Sequence, residues 1–124
     1  MKKIINPYLG MAEDEGYNCF ACAPHNEHGL HMEFYEDGDE VVCYWSPATH
    51  FQGWTDTLHG GIQATLIDET AGWVIARKMQ TSGMTTNLNI KYKRPIPTGE
   101  HVRLEIRARI CEMKRMFALM QASI

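Results

Sequence analysis

At 124 residues the chain is long enough for one domain with one modest core and hardly for two, so a single site is the expectation. Its 44% hydrophobic and 22% charged residues are those of an ordinary globular protein, and a net charge of -3 lacks the basic surplus of nucleic-acid binders, which makes nucleic acid an unexpected partner. The opening MKKIINPYLG is too short in apolar residues for a secretory signal or a membrane span, and four cysteines without an export signal are expected as reduced thiols of a cytoplasmic protein that needs no membrane.

Residues 1–29 carry Gly, Pro, Asn and scattered acids without a sustained period and read as an irregular N-terminal arm with one short helical turn, ahead of a domain over 30–124. Within the arm, CFACAPHNEHGLH sets Cys19, Cys22, His25, His28 and His31 at three-residue intervals, all possible zinc ligands. Structural zinc sites usually separate two ligand pairs by a longer loop, and there is no second Cys-x-x-Cys. The expectation is therefore no metal, but a locally packed arm with solvated histidines.

From Leu30 the period becomes two. Leu30, Met32 and Phe34 alternate with His31, Glu33 and Tyr35, and after the turn signal Asp37-Gly38 the run Val41–Trp45 completes a hairpin. A polar, aromatic loop covers 46–59. Residues 61–78 form the one long helical candidate, with Ile62, Leu66, Ile67, Trp73, Val74 and Ile75 spread over more than one stripe, so the helix is expected to be covered on several sides. Beyond Gly83, Thr86, Leu88, Ile90 and Tyr92 share one face of a strand. After the turn at 95–99, Val102, Leu104, Ile106, Ala108 and Ile110 share the face of the next, and a last strand runs from Met116 to Ser123. Cys43 and Cys111 fall in strands as small core residues. The simplest assembly is α+β: a curved antiparallel sheet wrapped around one central helix, which something else must cover on its far side.

Two acids, Asp68 and Glu69, interrupt the apolar helix. A buried carboxylate must be paired, shifted in pKa or facing a cavity. At 3.6 residues per turn the face neighbours of Asp68 are Gly61, Ala64, Thr65, Ala71 and Gly72, nearly all small, which admits a ligand or a second helix. Glu69 shares its stripe with Ile62, Leu66 and Trp73 and is the weaker candidate. A plain ion pair with Arg77, Lys78 or a strand arginine is the bland alternative for either acid.

His59-Gly60-Gly61 opens the helix with free backbone N–H groups at the positive end of its dipole, where glycines let a carbonyl oxygen come close. A tight loop-to-helix turn needing glycine for conformation alone is the competing reading. Gly60 and Asp68 lie eight positions apart, about 12 Å along the axis, beyond one reacting centre. If they cooperate, the acid comes from another subunit. Two such helices packed antiparallel in a two-fold dimer would place each Asp68 near the partner's glycine turn and give two equivalent sites.

HGGIQATLIDE followed by TTNLNIKYKRPIPTG resembles the hotdog-fold thioesterases of the phenylacetate-pathway type, in the broad 4-hydroxybenzoyl-CoA thioesterase superfamily, and CFACAPHNEHGL resembles a Cys-Phe-x-Cys-x-x-x-Asn-x-x-Gly-Leu segment of one of its branches. The resemblance spans about residues 19–123 and implies the hotdog fold and hydrolysis of an acyl-CoA thioester at a homodimer interface, with a homotetramer left open. It implies that Asp68 is the general base or nucleophile, that the Gly60 amide polarises the thioester carbonyl, that His59 shapes the loop and Gly61 contacts substrate, and that Thr85 orients the acid or water. By strand parity, Thr86 rather than Thr85 shares the side of Leu88. Many relatives carry Asn six residues before the motif histidine, where this chain has Gly53; the neighbouring Gln52 is the candidate for that amide.

Lys91, Lys93 and Arg94 are candidates for CoA phosphates, with solvated strand charges as the alternative for any one of them. Trp45, Phe51, Trp54 and Trp73 point to an apolar pocket or to core filling. No cofactor is expected, because a thioester is already activated. The competing function is a non-catalytic acyl-CoA-binding or regulatory domain; a hotdog dehydratase is disfavoured, since no His–acid pair has the required spacing. Relatives of the pattern usually carry one more strand after the one ending near Ser123, so an unpaired edge is expected, and truncation of the chain is left open.

Overall fold

The hairpin forms where alternation and turn chemistry coincide. In the computed structural model, which describes residues 1–11, 15–114 and 117–124, strand β2 (Phe34–Asp37) pairs antiparallel with β3 (Glu40–Trp45). Gly38 takes φ +63°, a conformation that favours glycine, at the two-residue turn closing Asp37 onto Glu40. Leu30 and Met32 are buried as their alternation predicts, but ahead of the strand: their amides donate to the Phe20 and Ala21 carbonyls of the arm.

The sheet is antiparallel throughout, in the order β1-β2-β3-β4-β5, with β1 (Lys2–Lys3), β4 (Leu104–Lys114) and β5 (Phe117–Ser123) completing it. Met116, expected to open the last strand, lies outside the described residues. Helix α1 (Gly60–Val74) lies against β3, β4 and β5. Leu66, Trp73 and Val74 on α1 pack with Phe34, Val41, Cys43, Ile106 and Ala108 of the sheet. The helix continues through a π-helical turn, Ile75–Met79, and ends at Gln80 in the left-handed region, φ +52°. No described helix is long and apolar enough to cross a membrane.

The arm is part of the core. Ile4, Ala21 and Cys22 are buried, Tyr8 packs edge-on to Trp73 at 6.0 Å, and a short 3-10 turn covers Leu9–Met11. Two expectations are corrected. The segment expected as a strand after the helix is solvent-exposed along most of 84–94 and belongs to no ladder among the described residues, because a strand needs a hydrogen-bonded neighbour and none of them pairs with it. Cys111 is exposed: the register shift between Ile110 and Glu112 leaves it unpaired in a bulge, with its thiol donating to the Leu119 carbonyl at 3.2 Å. Trp45, Phe51 and Trp73 fill core, Trp45 donating to the Leu30 carbonyl, whereas Trp54 stands 83% exposed.

Candidate active site

The loop before α1 is pinned at both ends. Leu58 is buried, its amide donates to the Ile96 carbonyl at 2.8 Å, and its own carbonyl accepts from the Gln63 side chain at 3.1 Å. His59 then caps the helix: its φ and ψ are -58° and 133°, and its Nδ1 accepts the Gly61 amide at 2.8 Å. An accepting Nδ1 is the neutral imidazole with its proton on Nε2. The cap consumes the Gly61 N–H. The Gly60 N–H, one residue earlier, donates to no group among the described residues and is the amide left over for an external acceptor.

Gly60 is held from the other side by the exposed segment at 84–94. The Tyr92 hydroxyl donates to the Gly60 carbonyl at 2.9 Å, and a Cβ on Gly60 would touch the Tyr92 ring at 3.4 Å. Around this amide opens a cleft of about 330 Å³, lined by Gly53, Trp54, His59, Gly60, Tyr92, Lys93 and Arg94. Lys93 and Arg94 are exposed and form no ion pair among the described residues, so their charge is available at the cleft rim. Lys91 is also exposed but does not line it.

Asp68 is half-buried on the helix face that the sheet leaves open, among Gly61 and Gly72, which are exposed, and Ala64, Thr65 and Ala71, which are half-buried. The Thr85 hydroxyl donates to its Oδ1, and no cation pairs with it among the described residues. Thr85, not Thr86, thus reaches the acid. Strand parity carries no force here, because the segment is in no ladder. Gln52 is not brought to the cleft: its Oε1 accepts the Asp56 amide at 3.1 Å and braces the loop.

Glu69, one residue on, faces the opposite way, into the arm, where its Oε2 accepts the Trp73 indole N–H at 3.0 Å. The arm's histidines do not converge on its cysteines: His25 donates to the Tyr17 carbonyl and His31 to the Asn26 carbonyl. Burial pushes the Cys22 thiol upward, and that of Cys43 up to about 12, so both are protonated at neutral pH. Neither sulfur lies in the cleft.

Comparison with known proteins follows this geometry. The family model described as the thioesterase superfamily matches residues 55–124, which include the whole of the helix, the last two strands and most of the cleft lining. Acyl-coenzyme A thioesterase THEM4 of Rattus norvegicus is 37% identical over 95 residues, covering 73% of this chain and 40% of that protein. This chain thus spans well under half the length of that relative. Among solved structures, zebra fish thioesterase superfamily member 2 superposes with a TM-score of 0.67 at 23% identity, over 93% of this chain and 78% of that one. Thioesterase superfamily member 2 of Mus musculus gives 0.60 at 26% identity, over 71% and 68%. The antiparallel sheet with one long helix is their hotdog fold.

Proposed function

The chain belongs to the thioesterase superfamily, and from that premise we propose that it hydrolyses an acyl-CoA thioester at a site shared by two copies of the chain. The observation that carries the reading is the division of one helix into two half-sites. Its start presents a spare Gly60 amide in a cleft with basic residues at the rim; eight residues on, Asp68 is oriented by Thr85 on a small-residue face that no helix or strand covers among the described residues. About 12 Å of helix separates them, too far for one reacting centre. An antiparallel second copy on that face would bring each acid to the other's amide and cover the helix at the same stroke. Whether such dimers pair further into tetramers is a refinement of the same proposal, as is kinship with the phenylacetate-pathway type.

The chemistry needs little more. Asp68 takes a proton from water as the water oxygen attacks the thioester carbonyl, or attacks the carbonyl itself to give a mixed anhydride that water then hydrolyses. Negative charge gathers on the carbonyl oxygen, where the partner's amide donates to it; the thiolate of CoA leaves and is protonated. Preorganised donors act where charge develops, and a positioned general base contributes roughly 10²- to 10⁴-fold. Lys93 and Arg94 meet the CoA phosphates as they enter the cleft.

A non-catalytic acyl-CoA-binding domain is the competing reading, and one observation favours it: Gly53 stands at the position of the usual Asn and Gln52 is turned away. Free-thiol release from a panel of acyl-CoAs separates the two. Turnover that falls at least a hundredfold in Asp68→Asn, with acyl-CoA binding retained, supports hydrolysis; binding without turnover in either protein supports the alternative.

A further inference from the structure

The acid that the cleft does not use has its own surroundings. Cys19 Sγ, Cys22 Sγ and a Glu69 carboxylate oxygen all lie within 4.8 Å of one another, with Cys22 buried and the other two half-buried. Cys19 Sγ is 3.8 Å from Glu69 Oε1. In a tetrahedral site with zinc–sulfur bonds near 2.3 Å and zinc–oxygen bonds near 2.1 Å, that separation is roughly 3.6 Å. Cys19 and Glu69 therefore stand close to the spacing of a coordinated pair, with Cys22 Sγ within 4.8 Å of both.

Each of the three is also hydrogen-bonded. The Cys22 amide donates to Cys19 Sγ at 3.4 Å, the Tyr17 hydroxyl sits 2.9 Å from Cys22 Sγ while accepting the Asn6 side-chain amide, and the Trp73 indole donates to Glu69. Donors of this kind stabilise anionic ligands and fix their orientation, as the outer shell of a metal site does. Yet Glu69 forms no ion pair among the described residues. Glu69 is thus a half-buried carboxylate with hydrogen-bond donors and no cation among the described residues, beside two thiols that a divalent ion can deprotonate.

We propose that Cys19, Cys22 and Glu69 form a binding site for a zinc-class divalent ion, with water as the fourth ligand, fastening the N-terminal arm to helix α1 one residue from Asp68. Two sulfurs select a borderline-soft ion over magnesium or calcium. Binding releases the two thiol protons to solvent and leaves the thiolates neutralised by the dication. A void of about 60 Å³ borders Cys22, lined also by Asn6, His31 and Trp73. Since its readout is coordination rather than hydrolysis, the proposal stands or falls independently of the thioesterase reading.

Cobalt(II) titrated into the full chain under reducing conditions is the test. One equivalent per chain should give thiolate-to-cobalt charge transfer and the visible bands of tetrahedral cobalt, and zinc should displace it. Glu69→Gln, which keeps an acceptor for Trp73 and so spares the fold, should weaken binding at least tenfold, and Cys19→Ser should remove most of the charge transfer. Absence of the bands in the wild-type chain would overturn the site. So would bands that survive Glu69→Gln unchanged but vanish when His25, His28 and His31 are replaced by alanine.

Discussion

Thr85 holds the smallest lever on the chemistry. Its hydroxyl is the one side-chain group donating to Asp68 among the described residues, and losing one such bond is worth about 1 kcal/mol, about a fivefold change in rate. Thr85→Val should therefore lower kcat by about that factor with KM little changed, and Thr85→Ser should restore it; steady-state kinetics on an acyl-CoA substrate reads both, and an equal rise in KM would show a loss of binding instead. Asp68 and Gly60 were legible in the sequence because an acid on a small-residue face and a glycine pair at a helix start are local patterns. The spare amide was assignable to Gly60 rather than Gly61 only once His59 was seen capping the helix. Glu69 was illegible for a different reason. Its partners, Cys19 and Cys22, lie some fifty residues away, and only the folding of the arm across α1 brings them together.

At the scale of elements, hydrophobic period located the helix and the strands that find neighbours. Leu66, fully buried at the centre of α1 against the sheet, shows what that pattern encodes. Leu66→Ala should cost about 2–5 kcal/mol, read as a shift in a urea unfolding midpoint, and a cost below 1 kcal/mol would place the core elsewhere. Alternation misled at 86–92, because period two states which side chains share a face and not whether a neighbouring backbone exists to complete a ladder. Cys111, expected in the core as a small apolar residue, lies on the opposite parity from Ile106, Ala108 and Ile110, and its exposure follows that parity and the bulge beside it. Beyond α1 the helix end is tied to the hairpin: Glu36 accepts from both Arg77 and Lys78. Lys78 chiefly, and then Arg77, hold the Glu36 carboxyl below the usual carboxylate range, as Arg107 holds those of Asp37 and Glu105. Depressed folded-state values contribute stability that is present above the unfolded-state value near about 4 and is lost as pH falls through the folded ones. The melting temperature should accordingly drop below about pH 4, and less steeply in Glu36→Gln; identical acid limbs in differential scanning calorimetry would refute the role of this cluster.

For the whole molecule, the account rests on a site no single copy completes. The open face of α1, the exposed segment at 84–94 and the separated half-sites are features of one chain that a two-fold partner would resolve together. The sequence carried the separation, since eight helical residues set a length, but not the partner's surface, which depends on how the unladdered segment lies. The most direct measurement couples two inactive variants. Asp68→Asn lacks the acid; Gly60→Pro lacks the amide, at a first helical position where proline is tolerated and after a His59 whose ψ of 133° already suits it. Co-expressed with different tags and purified through both, the mixed dimer should regain up to about half the wild-type acyl-CoA hydrolysis, one of its two sites being intact. A mixed dimer as inactive as its parents would contradict the shared site.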